Sequence, residues 1–277
     1  MDDDLRTSIY NVIYDEFHEH NTVAIAEDLS RQIWSKCWHK ALDEFPDYYD
    51  DHGFVNALKL WFQECPWNQA YDLVEFIANK YKITDDSQQS YPGVFLDEPP
   101  HASFAHPYLE DFRNEINEAL QRERAGYRLV ETLVSPITNT AELDSINQVL
   151  QASDTFGTAR KHLYKALELF SIRGNPDYEN TVKESISAIE AAARTVSGNE
   201  KATLGAALKS IQKSKKVHPA LIEGWQKLYG FTSDAGGIRH AEHPDDFHVD
   251  GALSKYMLVS CSGFVNYLIE ITGDDHY

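Results

Sequence analysis

The sequence predicts an all-α fold in two parts, an accessory helical domain over residues 1–150 and a helical bundle over residues 151–277. Three observations lead there. Apolar residues recur at steps of three and four through most of the chain, the period of a helix face. The segments that carry this pattern are separated by short Gly, Pro and Asn punctuation. One stretch alone, YRLVETLVSPI at 127–137, has the β-branched and aromatic make-up of strands and predicts a small hairpin. With 277 residues, 42% of them apolar, and 15 Tyr, 13 Phe and 5 Trp, the chain can fill two cores.

The elements follow in order. From Asp3 to His20, Leu5, Ile9, Val12, Ile13 and Phe17 form one stripe, with Asp2, Asp3 and Asp4 at the end where a helix dipole favours negative charge. Residues 23–43 and 51–64 are expected to continue as helices, split by the turn-like FPDYYDDHG. Pro66 can open the next helix, whose inner face carries Tyr71, Val74, Ile77 and Ala78. Trp34, Trp38, Trp61 and Trp67 punctuate these faces and are expected to build the accessory core. Residues 83–106, with Pro92, Gly93, Pro99 and Pro100, predict a long loop. A helix resumes at 107–124, the hairpin follows, and Thr140 is placed to cap a helix at 141–152.

The last third predicts further helices at 155–173, 178–197, 201–212, 218–229 and 249–272. Gly174-Asn175-Pro176 and Ser197-Gly198-Asn199 are firm stops between them. Long apolar faces joined by short turns are the grammar of a bundle.

The net charge of −19 is uneven. Residues 1–150 hold 28 acidic against 11 basic side chains, a net of −17, and the remainder is nearly balanced. An acidic front half repels a phosphate backbone, so any nucleic acid is expected at the back half. No apolar run is long enough for a membrane span. The opening MDDDLRTSIY lacks the basic-then-apolar pattern of a secretory signal. Cys37, Cys65 and Cys261 match no zinc spacing and are expected as reduced, mostly buried thiols, which points to a cytoplasmic protein.

Three stretches carry a family likeness. MDDDLRTSIYNVI resembles the opening of the fourth class of AbiJ amino-terminal domain, and GYRLVETLVSPITNTAELDSI resembles that family's hinge. PDYENTVKESISAIEAAAR, TLGAALKSI, HPALIEGWQKLYGFTSDAGGIRHA and MLVSCSGFVNYLI resemble a carboxyl-terminal HEPN-like domain. The likeness covers nearly the whole chain, in order. It implies a bacterial phage-resistance protein of the abortive-infection type, with an all-α HEPN bundle that pairs with a second copy of itself and cuts RNA without a metal. The HEPN signature it implies is Arg, four to six residues, then His. Arg239 and His243 have three residues between them, and His248 lies beyond the window, so the spacing departs from that signature.

The chemistry such a site needs is modest. A base takes the 2′-OH proton, an acid protonates the leaving oxygen, and a cation holds the phosphate. Arg239 would hold the phosphate, with His243 or His240 moving protons. Arg239 pairing with Asp234, and His240 as a hydrogen-bonded structural residue, are the plain alternatives. His240, His243 and His248, interleaved with Asp245, Asp246 and Asp250, match no established ligand spacing, so no metal is expected, and no cofactor either. Lys209, Lys213, Lys215 and Lys216, with Lys201, form the basic cluster, either an RNA-binding edge or a solvated helix face. Trp225 and Tyr229, four apart, suit a core face better than base stacking. Glu190 and Arg194 are spaced for a helix ion pair, while Glu184 could orient Arg239. The partners expected are RNA, a second copy of the chain, and a phage or host protein at the acidic 1–150 region. A non-catalytic scaffold or sensor is the alternative to the ribonuclease.

Overall fold

The computed structural model describes residues 1–17, 23–46, 53–88, 107–233 and 248–273. Among these are eleven α-helices and one two-stranded sheet, so the all-α reading with a small hairpin holds. The chain divides into two compact units, Met1–Ile137 and Thr138–Tyr277.

The first unit is built on α1 (Asp3–Asp15), α2 (Val23–Gln32), α3 (Gly53–Glu64), α4 (Trp67–Gln88) and α5 (Pro107–Arg122). Asp2 caps α1, its carboxylate accepting from the Leu5 amide at 2.9 Å. The predicted stripe is the buried one: Leu5, Ile9, Ile13 and Phe17 meet Phe54, Leu58 and Phe62 of α3 and Phe112, Ile116 and Leu120 of α5 in one core. Each such side chain contributes about 1.5–3 kcal/mol on burial. Tyr71, Val74, Ile77 and Ala78 are buried along α4 as expected.

Three expectations are corrected here. The helix predicted over 23–43 runs only to Cys37, through a widened turn at Ile33–Cys37, because His39 takes a left-handed φ of +53°. Residues 83–88 are helix, not loop, since α4 continues to Gln88. Residues 89–106 of that expected loop lie outside the described residues. Of the four tryptophans, Trp34 is buried, whereas Trp67 stands 41% exposed.

The hairpin pairs β1 (Arg128–Val130) with β2 (Leu133–Ser135), Leu129 facing Val134 across the ladder. Both outer edges are met by side chains. Asn117 of α5 donates to Leu129 O at 2.9 Å and accepts from Leu129 N at 2.8 Å. Glu75 of α4 accepts from Val134 N at 2.7 Å.

The second unit contains α6 (Thr140–Leu150), α7 (Gly157–Ser171), α8 (Tyr178–Ser197), α9 (Leu204–Ser214), α10 (Pro219–Ser233) and α11 (Gly251–Gly273). The cap of α6 is Asn139, not Thr140: its carbonyl oxygen accepts from Ala141 N at 2.9 Å and Glu142 N at 3.3 Å. Helix α8 packs between α7, α9 and α11, burying Val182, Ile186 and Ile189. It stops at Gly198, whose φ of +66° suits a residue without Cβ. Helix α11 buries Met257, Leu258, Cys261, Phe264, Val265 and Leu268. Three hydrogen bonds fix it to α6: Asn266 donates to Ser145 O at 2.8 Å and to Gln148 Oε1 at 3.0 Å, and Lys255 donates to Glu142 at 3.0 Å.

Candidate functional site

Arg239, His240 and His243 lie outside the described residues, as do Asp234, Asp245 and Asp246. What is described is the frame that holds their segment, the end of α10 and the start of α11. At the end of α10, the Thr232 hydroxyl is buried and donates to Tyr229 O at 2.8 Å. At the start of α11, Asp250 accepts from Leu253 N at 2.8 Å as the helix cap. Gly251 comes so close to Tyr178 that a Cβ there would lie 3.0 Å from the phenol oxygen. Ser254 adds a hydrogen bond to Tyr178 O at 3.4 Å. The chain thus re-enters the bundle against the first residue of α8, with His248 exposed just before it.

Those same two helices enclose an open groove of about 570 Å³. Ala220, Leu221, Trp225 and Leu228 of α10 face Tyr256, Ser260, Phe264 and Tyr267 of α11. Trp225 stacks on Phe264 at 4.1 Å with 18° between the planes, and Phe264 in turn stacks on Tyr267. The rings pack on each other, but Trp225 is only half-buried and lines the open groove, so the expected core face is a groove wall. Leu221 and Tyr256 nevertheless remain 41% and 56% exposed. The groove is missing from a sequence reading because Trp225 and Phe264 belong to different helices, and their pairing is set by packing alone.

The basic cluster is carried by α9. Lys209 and Lys213 are exposed and four residues apart, so they share one face. Lys215 is the residue that ends the helix, and Lys216 follows it with a φ of +53°. Three of these cations, Lys213, Lys215 and Lys216, lie at the carboxyl terminus of the helix and suit its partial negative charge, and the exposed lysines can also contact phosphate. Lys201 is exposed before the helix starts.

Glu184, a candidate to orient Arg239, has a described partner: its Oε2 lies 2.7 Å from His162 Nδ1 of α7. His162 was not among the residues singled out by sequence. The signal that could have found it is the Gly174-Asn175-Pro176 turn, which sets α7 and α8 antiparallel and faces these two positions. Glu190 and Arg194 do form the expected pair at 3.4 Å, and Arg194 Nε also donates to Ala202 O at 2.9 Å.

The three cysteines are free thiols. Burial pushes the Cys37 thiol up to about 11, with Asp72 adding to the effect, and pushes Cys261 up further still. Among the described residues no three His, Cys, Asp or Glu side chains cluster closely enough to hold a metal ion. No helix of the described residues is long and apolar enough to cross a membrane.

No curated protein and no solved structure matches the chain. The family model described as AbiJ N-terminal domain 4 matches residues 1–152, more than half of the sequence. The chain belongs to the AbiJ N-terminal domain 4 family, and so to an abortive-infection, antiviral-defence context.

Proposed function

We propose that this chain is an abortive-infection effector whose second unit acts as a metal-independent endoribonuclease of the HEPN type, working as a homodimer. The observation that supports this most is the coincidence of two features on α10 and α11. They bracket the segment that carries Arg239, His240 and His243, and they also carry the exposed aromatic groove. A second copy seated on that groove joins the two chains through the helices that hold the Arg–His segments. Exposed Tyr256 and Leu221 are the anchors for such a contact.

In this reading Arg239 grips the scissile phosphate with its planar fork. His243 or His240 takes the proton of the 2′-OH, and the equivalent histidine of the other copy protonates the leaving 5′-oxygen. Lys209, Lys213, Lys215 and Lys216 hold the backbone on either side. The near balance of charge in the back half lets RNA approach there, while the acidic front half keeps it off.

The test is cleavage of labelled structured and single-stranded RNAs in EDTA by wild type, Arg239→Ala and His243→Ala. Cleavage by wild type and its loss in both variants is the expected result. A folded, dimeric wild type that leaves every RNA intact overturns the ribonuclease and favours a second reading, a non-catalytic scaffold or sensor. The observation behind that second reading is the net charge of −17 over residues 1–150, a surface suited to a basic phage or host protein.

A further inference from the structure

Within the first unit, α1 and α3 form a cleft of about 410 Å³, inside the range of small-ligand sites. Its chemistry differs from that of the surrounding surface. Arg6 and Lys59 supply two cations, Asn11 and Gln63 two amides, and Tyr10 and Phe62 two rings. Asp3 is the sole carboxylate that lines it. The lining carries one more cation than carboxylate on a part of the chain that is otherwise strongly acidic, which suits a small anion at short range better than a long nucleic acid.

Arg6 is held in place before any ligand arrives. Its Nη1 donates to Phe62 O at 2.7 Å and points at the Cys65 sulfur at 3.7 Å. That contact caps one of the last carbonyls of α3. Nε and Nη2 have no hydrogen bond to a described residue, which leaves donors for an oxyanion. Tyr10 keeps its phenol proton well above neutral pH, because burial first and the neighbouring Tyr14 second raise its pKa. It therefore offers a neutral ring and a donor, with its centroid 6.4 Å from that of Phe62. Thr7 spends its hydroxyl proton on Asp3 O within its own helix.

We propose that this cleft binds a small phosphate-bearing ligand with a planar base, of the nucleoside monophosphate class. Arg6 and Lys59 take the phosphate. The base lies against Tyr10, and the Asn11 and Gln63 amides read its edge. The ligand is an effector of the accessory unit, and the inference does not rest on the ribonuclease reading.

Titration calorimetry of the full chain tests it, using the four ribonucleoside 5′-monophosphates, inorganic phosphate and adenosine as probes. At least one monophosphate is expected to bind at one site per chain. Inorganic phosphate and adenosine should each bind more weakly by about tenfold or more, since each lacks one half of the contacts. Lys59 and Asn11 are exposed, so Lys59→Gln and Asn11→Ala keep the fold, and each should weaken binding by about tenfold with the urea midpoint unchanged. The proposal is overturned if no monophosphate binds, if both variants bind as wild type does, or if inorganic phosphate binds as tightly as the best monophosphate.

Discussion

His162 Nδ1 lies 2.7 Å from Glu184 Oε2 and joins α7 to α8 across their antiparallel seam. The side chains keep 38% and 31% of their exposure, so solvent screens the pair. Glu184→Gln should cost no more than about 1 kcal/mol in urea unfolding. A loss of several kcal/mol would show that the pair does more than tie two helices.

A Cβ added at Gly251 would lie 3.0 Å from the phenol oxygen of Tyr178 and 3.1 Å from its Cζ, a tight contact that the ring must relieve by moving a few tenths of an ångström. Gly251→Ala should destabilise the protein by about 1–3 kcal/mol, the usual cost of overpacking. Truncating Tyr178 to alanine in the same chain should recover most of that loss. Denaturation of the two single variants and the double variant checks the coupling.

Asn139 alone caps α6 through its side chain. Asn139→Ala should cost about 1 kcal/mol, and Thr140→Ala much less. Equal losses in thermal unfolding would show that the two residues share the role.

The buried thiols set a direction with pH. Cys37 ionises near 9.0 when unfolded and only at about 11 when folded. Between those values the unfolded chain holds fewer protons, so stability falls as pH rises through that window. Native Cys37 should react slowly with a thiol reagent at pH 8, and Cys261 only after unfolding. Timed labelling with and without denaturant measures both.

Tyr256, more than half exposed on the α10–α11 groove, can be changed without disturbing the core. If two copies meet there, Tyr256→Asp should convert the dimer to monomer and leave the circular dichroism spectrum unchanged. Light scattering on a sizing column reads the mass directly.

How much of this was legible follows from the range over which each feature is determined. The stripe of Leu5, Ile9 and Ile13 was readable because a helix face is a local, periodic pattern. The hairpin was readable from its composition. The extension of α4 to Gln88 was hidden by the prolines and glycine at 92–100, whose influence was carried too far back along the chain. The break at His39 was hidden because few non-glycine residues adopt a left-handed backbone, and nothing local marks which histidine will. Asn139 and Thr140 are both good caps, and the sequence does not rank neighbours. Around the site, the Glu190–Arg194 pair was local and visible. The stacking of Trp225 on Phe264 and the pairing of His162 with Glu184 depend on how helices pack, which no single-helix pattern encodes.

The side chains of Asn117 and Glu75 occupy both backbone groups of Leu129 and the N–H of Val134, at the middle of each strand of the hairpin. The flank of a two-stranded ladder is normally an invitation for another extended chain to add itself. Here that invitation is withdrawn on both sides. An extended peptide, an aggregating neighbour or a swapped strand from a second copy would have to displace Asn117 or Glu75 to pair here. At this hairpin, recognition falls to the helix surfaces beside it, by side-chain chemistry and not by backbone zippering.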